Sequence, residues 1–202
     1  MTPLLAGFGL GFTVAASFGP INLFALASGL RHGFWPAYGI SLGASTADSV
    51  YAFLGGLGAA AFFTGSAKGW FQILGGVALL LIAVRMTRTP PAQERRAGRL
   101  FRRSYGIALA ATLANPLTVV YWTAAFAGVV PKLGLSRAEA VTLLPAGVAC
   151  GTVLWATLLS AGSAFAGRYV NERLLRWLSV LSALTVAGFG AWFVVDGVRT
   201  LS

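Results

Sequence analysis

Six long apolar runs dominate this chain of 202 residues and constrain its fold more than any other feature. A helix needs about 20 mostly apolar residues to cross a bilayer core of roughly 30 Å, and the runs are of that order. They show none of the short alternating segments that are typical of a membrane β-barrel. The pattern predicts an all-α membrane protein with six transmembrane helices: Leu4–Leu30, Pro36–Phe62, Trp70–Thr87, Tyr105–Val130, Ala138–Ala166 and Leu174–Val198.

The composition excludes most other classes of protein. Hydrophobic residues make up 57% of the chain and charged residues 10%, whereas a soluble domain carries about 25% charged residues. The net charge of +10 would suggest nucleic acid in a soluble chain, but the basic residues lie between apolar runs, so we expect a lipid bilayer and no nucleic acid as partner. One Cys and one His exclude a disulfide framework and a Cys/His metal cage, and we expect no metal or cofactor.

The basic residues also predict how the helices are oriented. Eleven of the 15 Lys and Arg residues fall on one set of connecting segments, mainly between Arg85 and Arg103. Because the segments rich in Lys and Arg stay in the cytoplasm, both termini should lie on the periplasmic or extracellular side. We therefore divide the chain into a first three-helix repeat (1–87), a basic cytoplasmic linker (88–104) and a second three-helix repeat (105–202).

The two halves share several residues in the same order. The recurring residues are Gly19-Pro20 with Asn115-Pro116, then Gly43, Asp48 and Tyr51 with Gly147, Thr152 and Trp155, and finally Gly76 with Gly190. A repeat of three helices enters the membrane from the opposite side in its second copy. Such inverted repeats are typical of secondary transporters, whose binding site lies at the repeat interface near the middle of the bilayer.

The two recurring prolines fall near the middle of the first and fourth predicted helices. Proline removes a backbone donor and clashes with the preceding turn, so we expect both helices to be broken, at Gly19-Pro20 and at Asn115-Pro116. Broken backbone survives in lipid only where it is buried or lines a cavity. The helix that restarts after each break offers a positive N-terminus to a carboxylate, with Asn22 and Thr112 as polar neighbours. A simple packing kink is the alternative for each proline.

Asp48 is the only acidic residue deep within a predicted span. Asp at the centre of a membrane helix costs on the order of 2.5–3.5 kcal/mol, so it is by default a candidate functional residue. It could bind the ammonium group of an amino compound, exchange a proton, or only hold helices together by hydrogen bonds. Tyr51, Tyr121, Trp122 and Trp155 could line a pocket or belong to ordinary packing.

Two stretches resemble the signatures of a known family. They are Ser17-Phe18-Gly19-Pro20-Ile21-Asn22-Leu23, with Gly29-Leu30-Arg31-His32-Gly33, Gly39, Gly43 and Asp48 after it, and Leu113-Ala114-Asn115-Pro116-Leu117-Thr118. Both are similar to the LysE/RhtB-type amino-acid exporters, and the likeness covers nearly the whole chain. It implies a bacterial inner-membrane exporter of amino acids or close derivatives, driven by the proton gradient. Many members carry another proline just before the Gly-Pro pair, where this chain has Ser17-Phe18.

These observations together predict a transporter and not an enzyme, because no nucleophile and base lie within reach of each other. The substrate would be a small amino compound, and protons would be exchanged at Asp48. The predicted substrate-binding residues are Gly19, Pro20, Asn22, Asp48, Tyr51, Thr112, Asn115, Pro116 and Trp155. The alternative is an exporter of metal or other inorganic ions, which should carry several acidic residues or His at mid-membrane. The glycine-rich helix faces are compatible with a homodimer.

Overall fold

The apolar runs form helices in every part of the chain that the structure describes. The structure is a computed structural model that describes residues 2–17, 19–58, 66–87 and 97–201, and these residues form nine helices and no strand. The helices are α1 (Pro3–Ala16), α2 (Pro20–His32), α3 (Phe34–Gly56), α4 (Ser66–Thr87), α5 (Ala97–Leu113), α6 (Pro116–Lys132), α7 (Arg137–Val141), α8 (Leu143–Ala166) and α9 (Glu172–Leu201). The predicted all-helical class is therefore confirmed.

Within the described residues, each of the six predicted spans falls on one helix or on two consecutive helices, and positions 59–62 of the second span lie outside those residues. The first corresponds to α1 and α2, which are bent by 71°, the fourth to α5 and α6, and the fifth to α7 and α8. By length and composition, two helical segments of the described chain could cross a membrane, Arg137–Ala166 and Val180–Leu201, and the bent pair adds a third if it forms one span. The count of six spans stays a prediction.

The predicted linker coincides only in part with the described chain. Residues 88–96 lie outside the described residues, and 97–104 form the first turns of α5. The division of the chain into two repeats joined by a linker stays a prediction.

Local chemistry explains where several helices begin and end. Pro20 occupies the first turn of α2, where its missing N–H is not needed. Gly33 separates α2 from α3 with a φ of 81°, a left-handed conformation that favours glycine. The short α7 begins with a capping box, in which Ser136 and Glu139 exchange hydrogen bonds between side chain and backbone.

Two pairs of helices approach each other closely through glycine. At Gly147 of α8, an added Cβ would lie 2.8 Å from the backbone nitrogen of Phe8 in α1. At Gly43 of α3, an added Cβ would lie 2.9 Å from the backbone nitrogen of Leu109 in α5. Any side chain at these glycines would collide with backbone, so the small residues permit the close packing of α1 on α8 and of α5 on α3.

The helices α4 and α9 cross at a third pair of glycines. An added Cβ on Gly76 would lie 2.6 Å from the carbonyl oxygen of Gly190, and one on Gly190 would lie 2.9 Å from the carbonyl oxygen of Gly76. Nearer the other end of the contact, Gly69 lies against Gly197. Residue numbers therefore rise along α4 as they fall along α9, so the two helices run antiparallel.

The two larger buried clusters of apolar side chains lie on either side of the helix interruptions. One surrounds Trp122 and receives Val14, near the end of α1. The other surrounds Phe193 and receives Ile21, from the first turn of α2. The chain therefore passes from one cluster to the other at the interruption between α1 and α2.

Candidate functional site

The first helix interruption is held together by the side chain of Asn22. Its Nδ2 donates hydrogen bonds to the carbonyl oxygens of Ala15 at 2.6 Å and Ser17 at 2.7 Å, at the end of α1. The indole Nε1 of Trp155, on α8, donates to Asn22 Oδ1 at 3.4 Å. Carbonyls that lose their helical donors where α1 ends thus gain a side-chain donor.

The second interruption is held by a residue of α3. The chain leaves α5 at Leu113 and restarts at Pro116, and the hydroxyl of Tyr51 donates a hydrogen bond to the Leu113 carbonyl. Gly75 of α4 packs so closely on the Ala114 carbonyl that any side chain at position 75 would collide with it. This interruption is therefore packed against both α3 and α4.

Tyr51 and Trp155 occupy corresponding positions in the predicted repeat. Tyr51 contacts the interruption in the second half directly, and Trp155 contacts the interruption in the first half through Asn22. Each aromatic residue thus reaches across to the broken helix of the other half. Both aromatic residues thus reach the interruptions, and their assignment as substrate-binding residues stays a prediction.

Asp48 lies on the same face of α3 as Tyr51, one turn earlier. Its side chain is 8% exposed, and its Oδ1 accepts a hydrogen bond of 2.9 Å from Nε1 of Trp122, which is fully buried in α6. Through Tyr51 and Asp48, α3 contacts both α5 and α6, the helices before and after the second interruption.

The two interruptions meet at one small cavity of about 50 Å³. Pro20 and Asn115, one from each interruption, both contribute to its wall. The complete lining is Pro20, Ile21, Leu79, Ala111, Asn115, Phe189 and Phe193. Two predicted site residues that are 95 positions apart in the chain therefore lie at the same cavity, and all of its remaining lining residues are apolar.

Thr112 lies in the last turn of α5, just before the second interruption, and has an unusual environment. Its side chain is buried, and its Oγ1 has no hydrogen-bond partner among the described residues. A buried hydroxyl without a partner costs about 1–3 kcal/mol, so this oxygen is suited to a ligand or to water. Its role as a substrate-binding residue stays a prediction.

Other features lie apart from this cavity. Asp48 lines neither the 50 Å³ cavity nor a larger one of about 360 Å³ between α1 and α6. Of the aromatic candidates only Tyr121 reaches the larger cavity, beside Lys132. Within the described ranges, no group of three or more His, Cys, Asp or Glu side chains could hold a metal ion.

Sequence reasoning left the role of Trp122 open and did not connect it to Asp48. The only available signal was its position six residues after Pro116, on the helix that restarts at the second break. The sequence did not single out Phe189 and Phe193, because large apolar residues on an apolar helix are typical of ordinary packing.

Comparison with known proteins identifies the family of the chain. The family model described as LysE type translocator matches residues 12–197. The provisionally assigned amino acid efflux protein YcgF of Bacillus subtilis is 24% identical over 198 residues, which cover 95% of each chain. The chemotactic transduction protein ChpE of Pseudomonas aeruginosa is 33% identical over 138 residues, covering 62% of this chain and 66% of ChpE. No solved structure gives a significant match.

The family match extends over both interruptions and over Asp48, so it covers the whole candidate site. LysE family proteins are integral membrane transporters and not enzymes. This chain belongs to the LysE type translocator family.

Proposed function

We propose that this protein is a secondary transporter of the bacterial inner membrane that exports amino acids or close derivatives in exchange for protons. The family match and the described function of YcgF support transport of an amino compound. The observation that carries the proposal is the cavity shared by Pro20 and Asn115, because it joins two interrupted helices at one place.

The proposed architecture is six spans in two inverted three-helix repeats. Three features of the packing support it. The helix before each interruption packs on the middle helix of the other half, α1 on α8 and α5 on α3. The last helices of the two halves, α4 and α9, cross antiparallel, and the residues that meet there are Gly76 and Gly190, which correspond in the repeat. Corresponding residues meet in this way where a two-fold axis passes between them.

The proposed substrate site lies between the interruptions. The N-termini of α2 and α6 would bind the substrate carboxylate, because unpaired backbone amides and the helix dipole favour an anion there. The main chain of Gly19, Pro20 and Pro116 would form part of this site. Asn22, Thr112 and Asn115 supply polar groups, with Tyr51 and Trp155 shaping its walls.

The proposed coupling depends on Asp48. One carboxylate cannot hold a proton and a substrate ammonium group at the same time, so competition between them at Asp48 is the simplest antiport scheme. In the conformation described here Trp122 occupies Asp48 Oδ1. A proton or an ammonium group bound at Asp48 would compete with or weaken this hydrogen bond, which would couple α3 to α6.

The proposed orientation places both termini outside the cytoplasm and the basic segment between Arg85 and Arg103 inside it. A C-terminal alkaline phosphatase fusion tests this orientation, because the enzyme is active only outside the cytoplasm. We also propose that the protein forms a homodimer, because glycine-rich faces favour close helix packing. Cross-linking in native membranes tests this proposal.

The transport activity is tested with purified protein in proteoliposomes. We expect counterflow of radiolabelled amino acids but not of metal ions, and efflux driven by an imposed proton gradient. Asp48→Asn should reduce proton-driven efflux to the background rate. Asp196→Asn is the matched control, since Asp196 lies on α9 and accepts a hydrogen bond from Gln72 away from the interruptions. Proton-driven efflux at the wild-type rate in Asp48→Asn would contradict the coupling scheme.

A further inference from the structure

The cavity between the two interruptions has a chemical character that limits what it can accept. Among its lining residues, Asn115 alone carries a polar side chain, and none is charged. Leu79, Ala111 and Phe193 are almost completely buried. Apart from Asn115, the cavity therefore presents an apolar lining.

The volume of the cavity sets the size of the group that fits. An apolar cavity of about 150 Å³ holds benzene, which has six carbon atoms. At about 50 Å³, this cavity has room for about two carbon atoms. A phenyl ring, an isobutyl group or a long basic chain exceeds this space.

The charge of the cavity lining excludes a second group of side chains. An ammonium, guanidinium or carboxylate group placed among Ile21, Leu79, Phe189 and Phe193 would lose its water and find no partner of opposite charge. Burying an unpaired charge in this way is strongly unfavourable. The lining therefore disfavours basic and acidic side chains irrespective of their length.

We propose that this cavity is the side-chain subsite of the transporter, and that it selects amino acids with an aliphatic side chain of about two carbon atoms or fewer. This inference rests on the proposed function, since it places the substrate's carboxylate at the interruptions and its side chain in the cavity. Glycine, alanine and 2-aminobutyrate fit this description, and leucine, phenylalanine and lysine do not.

The first test is counterflow in proteoliposomes with each of these six compounds as the labelled species. The expected result is that alanine and 2-aminobutyrate exchange faster than leucine, phenylalanine and lysine, by roughly tenfold or more. Lysine or phenylalanine exchanging as fast as alanine would overturn the subsite while leaving the proposed export of amino acids intact. If none of a full set of amino acids exchanged, the proposed function itself would fail.

The second test changes the volume of the cavity. Phe193→Leu enlarges it and should raise the ratio of leucine to alanine exchange, roughly tenfold. Phe126→Leu is the matched control, because Phe126 and Phe193 are both 2% exposed but Phe126 lies outside the cavity. An unchanged ratio in Phe193→Leu, or an equal change in Phe126→Leu, would contradict the inference.

The third test fills the cavity at a second lining position. Ala111→Val adds two methyl groups at a lining position and should reduce exchange of 2-aminobutyrate much more than exchange of glycine. Equal losses for the two compounds would show that Ala111 affects transport only through the overall packing, and would count against the subsite. Because this comparison is made within one variant, it does not depend on how much of the protein is folded.

Discussion

Nε1 of Trp122 donates a hydrogen bond of 2.9 Å to Oδ1 of Asp48, joining α3 to the helix that restarts after the second interruption. Trp122 is completely buried, and Asp48 is 8% exposed. The bond satisfies part of the hydrogen-bonding capacity of a carboxyl group that is otherwise costly to bury. Under the proposed coupling, it would link the position of α6 to the protonation of Asp48.

Trp122→Phe tests how much this hydrogen bond contributes to stability. Phenylalanine keeps an aromatic ring in the core but removes the indole N–H, so Asp48 loses a buried donor. We expect the free energy of unfolding in detergent to fall by about 1–3 kcal/mol. Trp177→Phe, at an exposed position on α9, should change it by less than about 0.5 kcal/mol. Equal stability of the two variants would show that the bond contributes little.

Tyr51→Phe removes the hydroxyl that donates to the Leu113 carbonyl at the second interruption. The carbonyl then lacks a donor within an apolar environment, and we expect a lower transport rate and a loss of about 1–3 kcal/mol in stability. Tyr105→Phe is the control, since its hydroxyl donates at 3.1 Å to Thr46 Oγ1, which itself donates to a backbone carbonyl. Transport measured at equal amounts of folded protein should fall only in Tyr51→Phe. A similar fall in both variants would argue against a specific role at the interruption.

Asn22→Asp reverses the polarity at the first interruption. Where an amide donates to the carbonyls of Ala15 and Ser17, a carboxylate would face two carbonyl oxygens without a hydrogen to share. We expect loss of transport and a lower thermal midpoint. Asn171→Asp, at the residue before α9, should change the midpoint little because Asn and Asp are equivalent at a helix N-cap. A stable and active Asn22→Asp variant would show that the hydrogen bonds from the Asn22 amide are not needed at the first interruption.

Gly76→Ala tests the close crossing of α4 and α9. The new Cβ would lie 2.6 Å from the Gly190 carbonyl oxygen, and neither backbone can move aside cheaply, so we expect destabilisation of about 1–3 kcal/mol. Gly188→Ala lies on α9 with no atom within 4 Å of the new Cβ and should be neutral or stabilise by up to about 1 kcal/mol. The thermal midpoint should therefore fall in Gly76→Ala and stay unchanged or rise in Gly188→Ala. If both rose, the crossing would be looser than the structure indicates.

The helices and their interruptions could be predicted from the sequence because they depend on local chemistry. Apolar runs predicted the helical segments, and the stereochemistry of Pro20 and Pro116 predicted where helices restart. The burial of Asp48 followed from its cost in an apolar span. The correspondence of Tyr51 with Trp155 was also read from the sequence, as part of the predicted repeat.

The contacts that define the site depended on tertiary structure. Nothing in the local pattern indicated that the indole of Trp122 would point at Asp48, because that depends on the rotation of α6 about its own axis after the interruption. The contribution of Phe189 and Phe193 to the cavity depends on where α9 crosses α4. Side chains from helices that are distant in the chain meet only after the crossing angles and rotations are set by packing, and these are properties of the whole assembly of helices. The amino-acid order thus dictated the helices and the two restarts, while packing selected which side chains surround them.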